Sequence, residues 1–268
     1  MGALDVRVEA ALATLDDECR WELITGLAQE CPDEILAICQ ELLAGAAPDR
    51  RTLGADLLGR LVGVDQGARP AASKALLDAL ACETDAGALA SIVAALGHVG
   101  SIEPLDAIVG LAGNSDPGVR LAVAFAVATL SPQPLDRRAR VALIELSSDA
   151  EPEVRDWATF GLGTLSFDDG PDVRAALLAR AEDTYHATRA EALFGLAVRR
   201  DPRAVPHLIR ALESPTVAGL ELDAAAEVAD PRLLPALWAL QRAGLADAVR
   251  VRRAIDRCLG QGRPVLLA

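Results

Sequence analysis

Aromatic side chains are scarce. Three Trp, one Tyr and four Phe make up 3% of the 268 residues. Lysine is scarcer still: Lys74 stands alone beside 25 Arg. That bias, with abundant Ala, points to a high-GC bacterial genome. Positive charge is short overall, 26 basic against 39 acidic residues, a net −13. Binding nucleic acid through its phosphates needs clustered Lys and Arg, so this balance argues against a nucleic-acid ligand. No apolar run approaches ~18 residues without a charge or a breaker, so no membrane span is expected. The start, Met1-Gly2-Ala3-Leu4-Asp5, lacks a basic flank and an apolar segment, which gives no secretory signal. Val6 stands where an N-myristoylation signal wants Ser or Thr. The five cysteines (Cys19, Cys31, Cys39, Cys82, Cys258) form no CxxC pair and are odd in number. They read as reduced thiols of a cytoplasmic protein, with Cys19, Cys31 and Cys39 as small core residues.

A hydrophobic fraction of 51% excludes disorder. At this length a single core is near its size limit, so two domains or a repeat array is expected. The chain repeats itself. Asp116-Pro117-Gly118-Val119-Arg120 matches Glu151-Pro152-Glu153-Val154-Arg155, and each opens a long apolar stretch. Ala47-Pro48-Asp49-Arg50-Arg51 keeps the same frame, as do Thr188-Arg189, Val251-Arg252 and Cys19-Arg20. Ala88-Leu89 and Val217-Ala218 keep it but lose the Arg. The equivalent positions are 20, 51, 89, 120, 155, 189, 218 and 252, about 33 residues apart, which makes eight units.

Each unit is read as two helices. The second opens at an Asp-Pro-like step, where a side-chain oxygen caps the helix and Pro suits a position that needs no donor. Apolar residues then recur every fourth position, as Val154, Ala158 and Leu162 do. Asp201-Pro202-Arg203-Ala204-Val205-Pro206 and Asp230-Pro231-Arg232-Leu233-Leu234-Pro235 open first helices in the same way. Gly97, Gly163 and Gly260 are expected to cap helix ends. No alternating strand pattern is present, and the longest loop is expected around Val62 to Pro70. A lone helix pair cannot bury its apolar face, so neighbours must stack. The predicted fold is all-α: an α-solenoid of about eight two-helix repeats spanning 1–268, capped over about 1–30 and 245–268. Abundant Ala and few rings suit thin, close-packed layers.

The pattern Asp-Pro-x-Val-Arg-x-x-Ala-x-x-x-Leu-Gly followed by Asp-Pro-x-Ala-x-Pro-x-Leu resembles the HEAT repeat, in its short bilin-lyase-type form. The likeness covers nearly the whole chain. It implies an Asp and Arg ladder between units, carried over to Asp116, Arg120, Arg155 and Arg189. Leu89 and Ala218 break that ladder. It also implies that the second helices line a concave face.

The position five residues after each ladder position reads Thr25, Asp56, Ala94, Phe125, Phe160, Phe194, Asp223, Arg257. Three of the four Phe fall in this column, in consecutive units, with Trp157 in the helix of Phe160. Such rings form an apolar ridge on the order of 20 Å long, a partner-binding surface. The alternative is that they fold back between the helices as core. Acids bracket the ridge: Asp56 and Glu22 on one side, Asp223 and Glu221 on the other, with Asp156 between. Charge is graded, with 7 basic and 16 acidic residues in 1–100 against 9 and 8 in 201–268.

Catalysis finds little support. His98, His186 and His207 lie in different units with no ligand spacing, and the His-Glu pairs of the family's di-iron hydroxylases do not occur. No metal site, cofactor or catalytic residue is expected. Glu182-Asp183 beside His186 reads as helix-start acids. HEAT-like DNA glycosylases need a basic groove, whereas this one reads as apolar and acidic. The leading expectation is a non-enzymatic scaffold, monomeric and cytoplasmic, that binds a basic or mixed-charge protein. The alternatives are a bilin-lyase-like or chaperone-type protein, and an acidic inhibitor or immunity protein blocking a basic partner. Genome context discriminates among them.

Overall fold

The computed structural model describes residues 3–14, 17–29, 32–214, 216–244 and 247–261. Among the described residues there are sixteen α-helices and no strand. The first helices of successive pairs are α1 (Ala3–Ala13), α3 (Pro32–Leu43), α5 (Arg69–Leu80), α7 (Leu105–Val109), α9 (Arg137–Leu146), α11 (Pro171–Arg180), α13 (Ala204–Leu212) and α15 (Leu234–Ala243). The second helices are α2 (Asp17–Ala28), α4 (Pro48–Val64), α6 (Ala86–Val99), α8 (Pro117–Leu130), α10 (Pro152–Phe160), α12 (His186–Val198), α14 (Gly219–Val228) and α16 (Ala248–Cys258). Seven of the eight repeat positions read from the sequence fall about one turn into a second helix, whereas position 218 is the cap residue before α14, out of that register.

Contacts divide the chain into two compact units, Met1–Pro132 and Gln133–Ala268. Each holds four helix pairs. Within each unit the second helices pack on one another more closely than the first helices do. The four-residue apolar stripe is the buried seam: Val119, Val123 and Val127 in α8, and Val154, Ala158 and Leu162 through α10, are at most 1% exposed.

The helix starts follow the capping chemistry in part. The Asp85 and Asp116 carboxylates accept from the Ala88 and Val119 amides at 3.0 and 3.1 Å, and Pro48, Pro117 and Pro152 occupy the first turn. Glu151 makes no side-chain cap. Two glycine expectations are corrected. Gly97 and Gly163 do not cap. Gly97 lies inside α6, and Gly163 lies in a single π-helical turn, Gly161–Leu165, that continues α10. The cap of α6 is Gly100, at φ 72°. The interior glycines are where neighbouring helices come closest. A Cβ on Gly97 would lie 3.2 Å from the Ala126 Cα, and one on Gly195 would lie 2.6 Å from the Gly163 Cα.

The stretch Val62 to Pro70 is not an open loop. A 3₁₀ turn at Gln66–Ala68, capped by the Asp65 side chain, joins α4 to α5. Cys39 and Cys258 are buried, and burial pushes the Cys39 thiol up to about 12. Cys19, expected in the core, is exposed, because it lies on α2 outside the stripe Ile24–Leu27–Ala28. Cys31 lies outside the described residues.

Candidate interaction surface

The ladder arginines sit one turn into the second helices, and their guanidinium groups turn back over the preceding loop. Arg51 donates to the Gly45 and Ala46 carbonyls at 3.1 and 2.8 Å. Arg120 reaches Asn114 and Ser115 at 3.0 and 3.1 Å, and Arg155 reaches Asp149 and Ala150 at 3.0 and 2.9 Å. Arg51, Arg155 and Arg189 also bridge to the next pair. Arg155 forks onto Asp183 at 2.9 and 3.0 Å, Arg51 onto Glu83 at 2.6 and 2.9 Å, and Arg189 reaches Glu221 at 3.2 Å. The second partner is therefore an acid 28 to 32 residues downstream, not the Asp of the helix's own start. Asp116 serves as a helix cap. Arg51 belongs to the ladder as fully as Arg155, and its partner Glu83 is drawn down to about 2 by that fork.

Two acids read as flanking the ridge are already committed. Glu221 is 0% exposed and takes both Arg189 and the Ala218 amide, the latter at 2.9 Å. Asp223 pairs with Arg253 and lies 3.8 Å from Arg250, so the basic last helix α16 neutralises it. Asp56 lies 3.6 Å from Arg20 and hydrogen-bonds Ser91, yet its burial outweighs both and pushes it up to about 6. Asp156 also rises, through burial first and then through Glu153 and Asp183. Its neighbour Glu191 is pushed up to about 7 by burial, while the Thr164 hydroxyl donates to it at 2.5 Å. Asp156 and Glu191 thus form a crowded carboxyl pair between α10 and α12. The Glu182–Asp183 pair resolves into structure: Asp183 serves Arg155 and Arg180, and Glu182 pairs with Arg210 and, at 3.1 Å, with His207. Among the described residues no cluster of His, Cys, Asp and Glu could hold a metal ion.

The phenylalanine column divides. Phe125, Phe160 and Trp157 are half-buried, and Trp157 meets Phe160 edge-on at 5.6 Å. Phe194 is only 5% exposed and is core. It sits where α12 packs against α10 on one side, at the Gly163–Gly195 approach, and against α14 on the other. Trp21 and His98 make ring contacts outside the column that were not read from the sequence. Trp21 is 43% exposed, with the Arg60 guanidinium 4.9 Å from its ring centroid. His98 stacks obliquely on Phe125 at 4.8 Å. Their signal was the glycine one residue before Arg60 and before His98, Gly59 and Gly97.

Paired helices stacked layer on layer, with ion-pair rungs between layers and no strand among the described residues, define an all-α repeat protein of the solenoid class. Models of HEAT repeats match residues 73–163 and 139–229, more than half the chain, so the chain belongs to the HEAT-repeat family. A stretch of 124 residues is 32% identical to the Escherichia coli protein YibA, covering 46% of this chain and 42% of that protein. The chain therefore aligns with less than half the length of that curated relative. The crystal structure of E. coli YibA superposes with a TM-score of 0.73 at 23% identity, covering 94% of this chain and 91% of that one. The structure of Kap121p bound to RanGTP gives 0.58 at 16% identity, covering 95% of this chain but 32% of that protein. These structural likenesses establish the fold. Among the described residues no helix is long and apolar enough to cross a membrane.

Proposed function

We propose that this protein is a non-enzymatic scaffold that holds another protein against its second helices, acting as a cytoplasmic monomer. One observation carries the reading. In unit 2, the half-exposed rings Trp157 and Phe160 stand beside the crowded Asp156–Glu191 carboxyls, and no ladder arginine engages that pair. Rings with desolvated carboxylates beside them suit a partner that brings apolar side chains and a compensating cation, a basic or mixed-charge protein. Kap121p, whose structure shares this fold, is bound to RanGTP in that structure. The short repeat of about 33 residues favours the bilin-lyase-type subclass, with a chaperone-like client-holding role as the variant of the same reading.

The test is a double substitution, Trp157→Ala with Phe160→Ala. Immobilised wild-type protein should retain a specific protein from an extract of its host, and the double variant should lose it with helicity and melting temperature preserved. Retention by the variant would place the partner elsewhere. A large fall in melting temperature would make the two rings core.

A further inference from the structure

The second helices of unit 1 carry a line of side chains that no ion-pair rung absorbs. Trp21 comes from α2, Arg60 from α4, His98 from α6 and Phe125 from α8, one from each consecutive second helix. The contacts run along the line. Arg60 lies over the Trp21 ring at 4.9 Å, and His98 meets Phe125 at 4.8 Å. The imidazole lies near the Gly59 backbone, where an added Cβ would be 3.7 Å from the His98 Cδ2. The Phe125 ring seats still more tightly, 2.7 Å from where a Gly97 Cβ would be. Gly59 and Gly97 occupy the same repeat position, eight residues after 51 and 89. At Gly97 the missing Cβ lets the following helix lay its ring across the preceding one, and at Gly59 the imidazole rests beside an approach of 3.3 Å to the Ala95 Cα. The line is thus built by the repeat itself.

Trp21, Arg60 and His98 are exposed, and Phe125 is half-buried. Residues 1–132 hold 19 acidic and 8 basic side chains. Even so, among the described residues neither Arg60 nor His98 has a carboxylate partner. In so acidic a unit, a guanidinium held by a ring and not by an acid leaves a place for an external anion, and the His98 imidazole, kept neutral by burial and by Arg60, stands beside it as a hydrogen-bond donor. The surrounding charge restricts which anion enters. A phosphate polymer would meet the repulsion of the whole unit, whereas one carboxylate within a neutral or basic segment would not.

We infer that Trp21, Arg60, His98 and Phe125 form a docking strip for a linear segment of a partner protein that presents one carboxylate between apolar or aromatic side chains. The inference rests on the scaffold reading above and names its partner chemistry for unit 1. The carboxylate sits between Arg60 and His98, and its apolar flanks pack on Trp21 and Phe125. Second helices about 8–10 Å apart make the strip roughly 24–30 Å long. At ~3.3 Å per residue that seats about eight residues of extended chain.

A displayed library of random 12-residue peptides, panned over the full chain, tests this directly. Enriched sequences should carry one Asp or Glu flanked by Trp, Phe or Leu. Their synthetic counterparts, measured by fluorescence anisotropy, should bind Arg60→Glu and Trp21→Ala at least about tenfold more weakly, with Arg60→Lys intermediate. Arg60 is solvent-facing, so its variants keep the fold, and Arg60→Glu alone decides if Trp21→Ala lowers the melting temperature. Enriched peptides lacking an acid, peptides indifferent to Arg60→Glu, or no enrichment would each overturn the strip. Peptides that ignore Arg60→Glu but are lost on Trp157→Ala with Phe160→Ala would remove the strip and keep the scaffold reading. Peptides indifferent to both would remove both.

Discussion

The two units answer one packing problem in two ways. In unit 1 Gly97, eight residues after the ladder position, receives the Phe125 ring from the next helix, while the equivalent Gly59 meets the Ala95 backbone more loosely, a Cβ there lying 3.3 Å from the Ala95 Cα with the His98 ring beyond it at 3.7 Å. In unit 2 the equivalent Gly163 receives backbone, and its helix meets α12 glycine to glycine. That closer approach has consequences. The chain after α10 runs through a π-helical turn, which widens the hydrogen-bond ladder and frees carbonyls at the helix end. Arg199 fills the gap. It is 9% exposed and donates to the carbonyls of Leu162, Gly163, Ser166, Asp168 and Gly195 at 2.7 to 3.1 Å. Around it, Arg174 ties Asp169 to Asp201, and Arg203 forks onto Asp201, whose carboxyl these bonds hold well below its usual range. Charge differs as well. Unit 2 has 20 acidic and 18 basic residues, whereas unit 1 has 19 and 8, and there Arg20, Arg50, Arg51 and Lys74 pair with acids while Arg60 lies over a ring. Close backbones need buried donors, whereas ring-seated backbones leave side chains free to meet a partner.

The largest effect that would break this comparison comes from Arg199→Ala. Several buried carbonyls would lose their donor at once, which should cost about 3–5 kcal/mol. Hydrogen exchange should show lost protection across 161–200 with residues 48–130 unchanged. An equal loss in both units would mean that they unfold as one body.

The glycines sharpen it at a smaller scale. Gly195→Ala forces a Cβ to 2.6 Å from the Gly163 Cα, an atom that cannot turn aside, and should cost about 2–3 kcal/mol. Gly97→Ala meets the Phe125 ring at 2.7 Å, and a ring can rotate, so about 1–2 kcal/mol is expected. Gly59→Ala meets only ordinary or slightly tight contacts, 3.3 Å to the Ala95 Cα. There the gain of about 1 kcal/mol in helix propensity should leave stability nearly unchanged. Urea midpoints in any other order would show that the closeness and give of the facing atom do not set the cost.

The eight-fold helix pairing was legible because two local signals, the Pro-started second helix and the four-residue stripe, recur in step. The ladder was legible only at its arginine end. Asp183, Glu83 and Glu221 lie 28 to 32 residues downstream, in turns whose lengths vary, so no fixed spacing marks them. Phe194 shows where the periodicity ran out. Its column position equals that of Phe160, yet it is 5% exposed, and no spacing within one repeat marks how closely the neighbouring helices enclose a ring there. Gly97 and Gly163 were misread because a glycine near a helix end satisfies the rule for a cap equally well. Only the neighbouring helix distinguishes a cap from a seat.

The smallest expected effect depends on pH. Glu191 has its carboxyl pushed up to about 7 by burial and by Asp156, against an ordinary value of 4.5. A raised carboxyl binds its proton more tightly in the folded state. Its contribution is therefore most favourable below about pH 4.5 and is lost as pH rises through about 7. Glu191→Gln mimics the neutral form, so it should be more stable than wild type by about 1–2 kcal/mol at pH 8 and indistinguishable near pH 5. Its counterpart in unit 1, Asp56, is pushed only to about 6 and has Arg20 at 3.6 Å. Asp56→Asn removes the desolvation cost but also strands that guanidinium, so its gain at pH 8 should be the smaller of the two. Urea midpoints for both variants at the two pH values decide the matter. A larger gain at Asp56 would mean that the Arg20 pairing is inert.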